Sequence, residues 1–552
     1  MCGFLYLRIK KKIEFEKKYF ESALKLSSYR GVDNNKIIQF KNNFFGFNRL
    51  SIVGSDLSNQ PLEDSKKIVM FNGEIYDYDN KFESDTLFLF NSDDNIFKNL
   101  EGQYSVLIYN KLNDTIKIYR DFFGQKPLYY YENEEIFVSS STIKSICYIY
   151  EKIYRKKLSI NKSSIDTYLL LGYIREPETI FNDVYSLESG KLLEFENNKI
   201  TINSYLKQKK ISISKYFDYF NKTLNHSNKQ KALFLSSGVD SNFILSKTIK
   251  NKIDVNLFTL KIDKSKKDES RIVNINIINN KLTNKHQFIS NNKNKYYELL
   301  NKLANIFEQP SADGLNLFVL FSELEKKSTK EKIIFTGIGG DEGFGGYNTF
   351  KYYYFIKLLK FFYFPFHFFK RLSRFTLFDG SIESYYLLYR SDNYFIKYSD
   401  KFFLNKIKYS LKLKLNNYKH ESIKNKIRFL EIFEYMKNQL LRDSDNISLF
   451  FGKEIFNPFL STYIFANRID NKKYLKKHIL KSIKTSFIKK GFNIKFENTN
   501  FSPEQIKHFQ NINNKFNILN KEHLKYLVES ETNNYQKTKI ALLLLWIHKN
   551  YE

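Results

Sequence analysis

The chain has 552 residues, of which 42% are hydrophobic, and its 89 Lys and Arg against 59 Asp and Glu give a formal charge of +30. That length exceeds what one core serves, so two or more domains are expected, and the hydrophobic share excludes disorder of the whole chain. Two cysteines, Cys2 and Cys147, exclude a disulfide framework, and the basic residues are spread through nearly every segment, so no nucleic-acid partner is expected.

The chain opens Met1-Cys2-Gly3. Removal of Met1 would leave Cys2 with a thiol and a free α-amine, whose reference pKa of about 7.7 to 8 lets it take the thiol's proton near neutral pH. No charged stretch followed by an apolar one reads as a secretory leader, so a cytoplasmic setting is expected. Short β-branched and aromatic runs at 67–71, 105–109 and 115–119, separated by Gly, Asn and Asp turns, predict stacked antiparallel sheets. Residues 180–196 read as a last hairpin. A boundary near 205 then divides the chain into 1–205 and 206–552.

Beyond it, 231–235 is a short apolar strand running into Ser236-Ser237-Gly238-Val239-Asp240-Ser241, and 243–249 has helical spacing. A second strand, 333–336, enters Gly337-Ile338-Gly339-Gly340-Asp341-Glu342. Strands feeding small-residue loops and then helices predict an α/β layer, with ligands beyond the carboxyl ends of the strands. Residues 345–552 are mostly helical by pattern. The aromatic run 352–369 is interrupted by Lys357, Lys360, Pro365 and His367, so it predicts a buried helix pair and no transmembrane segment. His286 reads as a satisfied histidine at a sheet edge, and Cys147 has no role in this pattern.

The loop 236–241 has what a polyphosphate needs: backbone N–H groups open to approach, hydroxyl donors, and a helix start that favours anions. Asp240 would there hold Mg2+, whose hard oxygen coordination bridges carboxylate and phosphate, and Asp341 would supply a second carboxylate from the neighbouring strand end.

Ser236 to Ser241 is similar to the Ser-Gly-Gly-x-Asp-Ser pyrophosphate loop of ATP pyrophosphatases. Arg49-Leu50-Ser51, Phe71-Asn72-Gly73-Glu74-Ile75-Tyr76 and Arg120-Asp121-Phe122-Phe123-Gly124 stand upstream of it. Leu171-Gly172-Tyr173-Ile174, Glu308 to Asp313, Gly345-Gly346-Tyr347, Arg442-Asp443-Ser444-Asp445, Glu454 with Pro458-Phe459-Leu460, and Lys489-Lys490-Gly491-Phe492 complete the set. With these motifs nearly the whole chain resembles the glutamine-hydrolysing asparagine synthetase family. The resemblance implies an α+β N-terminal domain, the four-layer αββα sandwich of N-terminal-nucleophile hydrolases. An α/β ATP pyrophosphatase domain with a helical C-terminal part follows. It also implies a two-step reaction. Cys2 is the nucleophile toward glutamine, Asn72 and Gly73 form the oxyanion hole, and Arg49, Glu74 and Asp85 hold the glutamine carboxylate and amine, with Asn72 and Gly73 lining the same pocket. Leu235, Ser236, Ser237, Gly238, Asp240, Ser241, Thr336 and Gly337 would bind ATP and pyrophosphate. Asp240 and Asp341 would hold Mg2+, and Lys489 would stabilise charge as an acyl-adenylate breaks down. Ammonia from the first centre would reach the second through an internal tunnel, and the family is often homodimeric.

Three departures bear on the acceptor. Ser237 replaces the first loop glycine, and serine avoids positive φ, which narrows the conformations open to the loop. Ile338 stands where asparagine synthetases carry an acid between two glycines, and isoleucine transfers no proton. Either Asp341 or Glu342 takes over, or the acceptor is not aspartate, or this half is inactive. Phe456 and Phe487 replace arginines that accompany Glu454 and Lys489, which implies an acceptor pocket with fewer cations. Aspartate remains the leading acceptor. The alternatives are another carboxylate, such as a sugar uronate in surface-polysaccharide synthesis, or a glutamine- and nucleotide-binding protein that completes no synthesis.

Overall fold

The computed structural model describes residues 2–79, 81–206, 212–261, 268–290, 296–327, 329–361, 377–392, 395–396, 399–461, 472–487, 500–528 and 534–551. In β1 (Gly3–Ile9), Phe4 and Tyr6 pack to one side and Leu5 and Leu7 to the other, the period-two alternation of a strand covered on both faces. The strands that follow are β2 (Asn34–Phe40), β3 (Asn43–Arg49), β4 (Leu62–Glu63), β5 (Lys67–Ile75), β6 (Gly102–Asn110) and β7 (Thr115–Arg120). After them come β8 (Tyr129–Glu132), β9 (Ile136–Ser140), β10 (Val184–Ser186), β11 (Lys191–Glu196) and β12 (Lys199–Ser204). They make two antiparallel six-stranded sheets, ordered β10-β8-β9-β1-β3-β2 and β12-β11-β7-β6-β5-β4.

Phe4, Tyr6, Phe45 and Phe47 of the first sheet meet Ile68, Met70, Leu107 and Tyr109 of the second in one apolar layer. Leu5, Leu7 and Phe44 turn outward beneath the helices Lys17–Lys25 and Ile143–Tyr154. Val69, Phe71 and Val106 turn the opposite way, beneath the helix Asp85–Phe90. The layers run helix, sheet, sheet, helix, the sandwich that the motifs implied.

The expected hairpin at 180–196 is corrected. Val184–Ser186 pairs with β8 in the first sheet, whereas Lys191–Glu196 pairs with β7 in the second, so the segment crosses between sheets. The actual last hairpin joins β11 to β12 through Asn197 and Asn198, at φ 49° and 60°. Two central residues with positive φ suit the twist of a two-residue hairpin, and asparagine tolerates that region better than most side chains.

A third sheet follows, fully parallel, with β13 (Lys231–Phe234), β14 (Asn256–Lys261), β15 (His286–Ser290), β16 (Ile333–Phe335) and β17 (Glu454–Phe456) in the order β15-β14-β13-β16-β17. Ala232, Phe258 and Ile334 face one apolar cluster, and Leu233, Leu257 and Phe335 face another. Burial on both faces explains why these strands are almost continuously apolar. Helices dominate from residue 353 onward. The last, Asn534–Asn550, buries Trp546, whose indole N–H donates to Phe307 O at 2.8 Å. Of the expected helix pair at 352–369, the described residues form the helix Tyr353–Phe361, with Tyr353 and Ile356 buried but Tyr354, Phe355 and Leu358 exposed; 362–369 lie outside the described residues. Among the described residues no helix is long and apolar enough to cross a membrane.

Candidate active sites

The register of β1 against β3, with Gly3 opposite Asn48, brings Cys2 alongside Arg49. From the second sheet, Asn72 on β5 reaches across, and its Oδ1 accepts from the Cys2 N–H at 3.3 Å. Cys2 is buried with Sγ 4.0 Å from Leu50 O, and burial lifts the thiol above its ordinary range while the charges of Glu74 and Arg49 act on it. Asn72 Nδ2 donates to Ser141 Oγ at a long 3.4 Å. Gly73 has φ 147°, and a Cβ there would lie 2.0 Å from Gln103 O, so only glycine fits this turn of the strand.

Arg49 is buried and oriented by Asn59 Oδ1 at 2.6 Å and by the carbonyls of Val53 and Gly54 at 3.1 and 3.2 Å. Among the described residues no carboxylate pairs with it. Asp85 starts the helix capped by Ser84, and its two oxygens accept from the N–H groups of Ile75, at 3.0 Å, and Thr86, at 2.8 Å. Glu74 and Asp85 are both buried and near one another. Burial, then the charge of Glu454, pushes Glu74 up to about 8; burial, then Glu74, pushes Asp85 up to about 7. Two crowded acids of this kind gain from a cation placed between them. His226 joins them, with ligand atoms of all three within 4.8 Å. Nothing in the sequence marked His226, which lies far along the chain in an Asn-rich segment.

The second site sits at the carboxyl ends of β13 and β16. Leu235 is buried, with its N–H on Phe258 O at 2.8 Å. The loop after it closes on itself: Ser236 and Ser241 hydroxyls are 3.0 Å apart, and the Gly238 N–H donates to Ser236 Oγ at 3.1 Å. Ser237 keeps a negative φ and a fully buried side chain, so the expected conflict of serine with positive φ does not arise. Its N–H donates to Glu269 Oε2 at 3.0 Å. From the neighbouring strand, Thr336 Oγ1 donates to Asn457 Oδ1 at 2.6 Å, and Gly337 passes so close that a Cβ would stand 3.0 Å from the Asp240 Cβ.

Asp240 and Asp341 converge. Lys472 forms an ion pair with Asp240 and another with Asp341 at 2.8 Å. Burial opposes the ammonium charge, but the two carboxylates hold Lys472 above the ordinary lysine range. The backbone wraps both acids, since a Cβ on Gly340 would meet Asp240 Cγ at 2.4 Å and one on Gly346 would meet Asp341 Oδ1 at 1.9 Å. In a chain this rich in lysine, nothing distinguished Lys472 from its neighbours.

Glu342 is buried, takes the Gly339 N–H at 3.0 Å and the Tyr347 hydroxyl at 2.5 Å, and is lifted by burial to about 7. Ile338 packs beside the second-face cluster. Phe456 is fully buried against Tyr76 and His226, with ring centroids 5.6 and 5.8 Å away, so it borders the first site. Phe487 lies under the Lys476 ammonium at 5.5 Å, and Lys489 lies outside the described residues. His286, on the edge strand β15, shares a hydrogen bond of 2.9 Å with Thr259 and is held down to about 4 by burial.

Two domain models match the chain: a glutamine amidotransferase domain over residues 1–206 and asparagine synthase over residues 222–490. A putative glutamine-hydrolysing asparagine synthetase 2 of Methanocaldococcus jannaschii is 28% identical over 404 residues, 63% of this chain and 76% of that protein. The glutamine-hydrolysing asparagine synthetase 1 of Bacillus subtilis is 26% identical over 387 residues, 64% of this chain and 60% of that protein. Among solved structures, a glutamine phosphoribosylpyrophosphate amidotransferase from B. subtilis covers 62% of this chain and 77% of its own at 13% identity, with a TM-score of 0.26, too low to bear on the fold. The two domain models together take in most of the chain, and it belongs to the glutamine-hydrolysing asparagine synthetase family.

Proposed function

We propose that the chain is a glutamine-dependent amidotransferase whose two activities divide near residue 205. Its first half hydrolyses glutamine and its second amidates a carboxylate at the expense of ATP. The reading rests on one observation above all: Cys2 shares its pocket with Arg49, Asn72, Glu74 and Asp85, while Asp240 and Asp341 converge on a single cation in the same chain.

In the first pocket Arg49 would clamp the glutamine carboxylate, and Glu74 with Asp85 would take its ammonium. With Met1 removed, the Cys2 amine accepts the thiol proton and the thiolate attacks the amide carbon. The oxyanion faces Asn72 Nδ2, whose long bond to Ser141 is easily given up, and the Gly73 N–H. Ammonia leaves, and water then releases glutamate from the thioester.

In the second pocket the acceptor carboxylate attacks the α-phosphorus of ATP, pyrophosphate leaves, and ammonia displaces AMP from the acyl-adenylate. Leu235, Ser236, Ser237, Gly238, Ser241, Thr336 and Gly337 line the place for the nucleotide. Asp240 and Asp341 fit a divalent metal, because their oxygens already share one cation; Mg2+ there would neutralise phosphate charge. Lys489 would steady the adenylate as it breaks down.

Aspartate is the first acceptor to test. A different carboxylate is favoured by Ile338, since isoleucine takes up no proton and the neighbouring acids are engaged, Glu342 by Gly339 and Tyr347 and Asp341 by Lys472. The experiment is incubation with glutamine, ATP and Mg2+, following glutamate, AMP and pyrophosphate with and without aspartate. Aspartate-dependent AMP supports asparagine synthesis. Glutamate without it points to another acid, and absence of glutamate overturns the proposal.

A further inference from the structure

The helix Ile213–Asn225 leads into the third sheet and ends at His226, whose own backbone is extended at φ −60° and ψ 127°. That break turns the imidazole back toward the first half. Its Nε2 lies 2.7 Å from Glu74 Oε2, and both side chains are almost wholly buried. Tyr76 meets the ring edge-on at 5.4 Å and Phe456 closes the other side at 5.8 Å. Packed between aromatic rings, the imidazole has one orientation open to it.

The segment around His226 holds the first half at two more points. Lys222 pairs with Asp77 at 2.7 Å, and the Ser227 hydroxyl donates to Ile52 O at 3.1 Å. Ile52 and Asp77 flank the stretches that carry Arg49 and Glu74. At its other end the same helix is fastened to the nucleotide side. The Tyr216 hydroxyl donates to Phe459 O at 3.0 Å, and Phe217 and Phe220 pack on Phe243, which belongs to the helix Val239–Lys250 whose first turn carries Asp240. At 1.5 Å per residue, a helix of 13 residues is about 20 Å long.

We propose that His226 is a positioning residue for glutamine, contributed to the first pocket by the second half of the chain. The proposal rests on the reading of Glu74 as a partner of the glutamine ammonium. A glutamate side chain has three rotatable bonds, and a carboxylate that must meet an ammonium gains from having one oxygen fixed. In the tautomer that carries its proton on Nε2, His226 donates to Oε2 of the ionised Glu74 and leaves Oε1 for the substrate. No role assigned by the family motifs falls on His226, and the pocket lacks this donor unless the second half is docked. Glutamine recognition thereby depends on a residue carried by the helix that also packs beside the nucleotide loop.

The test compares His226→Leu with His226→Gln in the full-length enzyme. Leucine fills the space and donates nothing, whereas the glutamine amide can place an N–H near the Nε2 position. His226→Leu should raise the KM for glutamine about tenfold, the effect of one hydrogen bond to a charged group, with kcat for glutamate release nearly unchanged. His226→Gln should restore most of it. AMP formation driven by added ammonia should be the same in both variants and the parent, which a general loss of folding would not allow. If leucine does not fold, His226→Asn replaces it, since its shorter amide cannot reach the Nε2 position. An unchanged KM in His226→Leu, or an equal loss in His226→Gln, overturns the assignment of His226 alone. A parent enzyme that releases no glutamate overturns the reading of the whole pocket.

Discussion

Arg30 and Asp445 face each other at 2.8 Å in a buried ion pair that joins the two halves of the chain. Arg30 also donates from Nε to the carbonyl of Cys2 at 3.3 Å, and Lys126 bridges Asp445, at 3.4 Å, to Glu454, at 2.9 Å. The motifs around residues 442–445 and 454 therefore serve the contact between the halves. Removing one partner of such a pair leaves the other charge buried and uncompensated. Asp445→Ala should lose about 3–5 kcal/mol of stability. Denaturation followed by the fluorescence of Trp546, the one tryptophan in the chain, measures it. Because Arg30 steadies the Cys2 carbonyl, glutamate release should fall in the same variant even well below its unfolding transition.

Cys2→Ala separates the two activities. The side chain is small and the site is already held by Asn72 and Arg30, so the fold should survive. Glutamate release should fall by at least about a thousandfold, as expected for loss of a nucleophile. Synthesis from added ammonia should remain, since the second centre needs only free amine. Loss of both activities together would break the two-centre account.

Binding of glutamine should weaken in acid. Glu74, at about 8, and Asp85, at about 7, must both be ionised to hold an ammonium, and glutamine's own amine stays charged over this range. As pH falls through 8 and then 7, each group takes up a proton, and below both values KM should rise by up to about a hundredfold per unit. Stability without glutamine runs the other way. Acids whose folded pKa is raised bind more protons folded than unfolded, so their contribution is present below about pH 4 and is lost as pH rises toward 8. KM for glutamine between pH 6 and 9, set against thermal midpoints over the same range, tests both signs.

Much of this site could be read from local pattern. The runs at 67–71, 105–109 and 115–119 fall inside β5, β6 and β7, and Asn72, Gly73 and Glu74 sit on one of them, where a strand delivers side chains to fixed places. The loops at 236–241 and 337–342 follow strands as the α/β pattern requires. The rest depends on contacts between residues distant along the chain. His226 and Lys472 gain meaning only through partners at Glu74 and at Asp240 and Asp341, and nothing beside them in sequence hints at it. Residues 180–196 read as a hairpin because a short strand next to a Ser-Gly turn looks the same whether the chain folds back or crosses to another sheet. Asn197-Asn198, the real turn, has no glycine to announce it. The contact of Phe456 with the first half is hidden for a related reason: β17 is an edge strand of the parallel sheet, and one face of that edge lies against Tyr76.

The carboxylate pair can be disturbed from two directions, and both should give one phenotype. Asp240→Asn removes a negative oxygen where a divalent metal would bind, leaving Lys472 with Asp341 alone. Gly346→Ala leaves every ionisable group in place but adds a Cβ 1.9 Å from Asp341 Oδ1 and 3.0 Å from the Asp341 Cα. The Asp341 carboxylate must then leave its present place beside Lys472. A misplacement of about 1 Å at a reacting centre costs on the order of a hundredfold, so AMP formation should fall by about that much in Gly346→Ala and by at least as much in Asp240→Asn. Glutamate release should be unaffected in both, because Cys2, Arg49, Glu74 and Asp85 belong to a different sheet system. Raising Mg2+ should recover part of the loss in Gly346→Ala, where both carboxylates survive, and little in Asp240→Asn. Equal recovery in the two variants would mean that Asp240 is not a metal ligand.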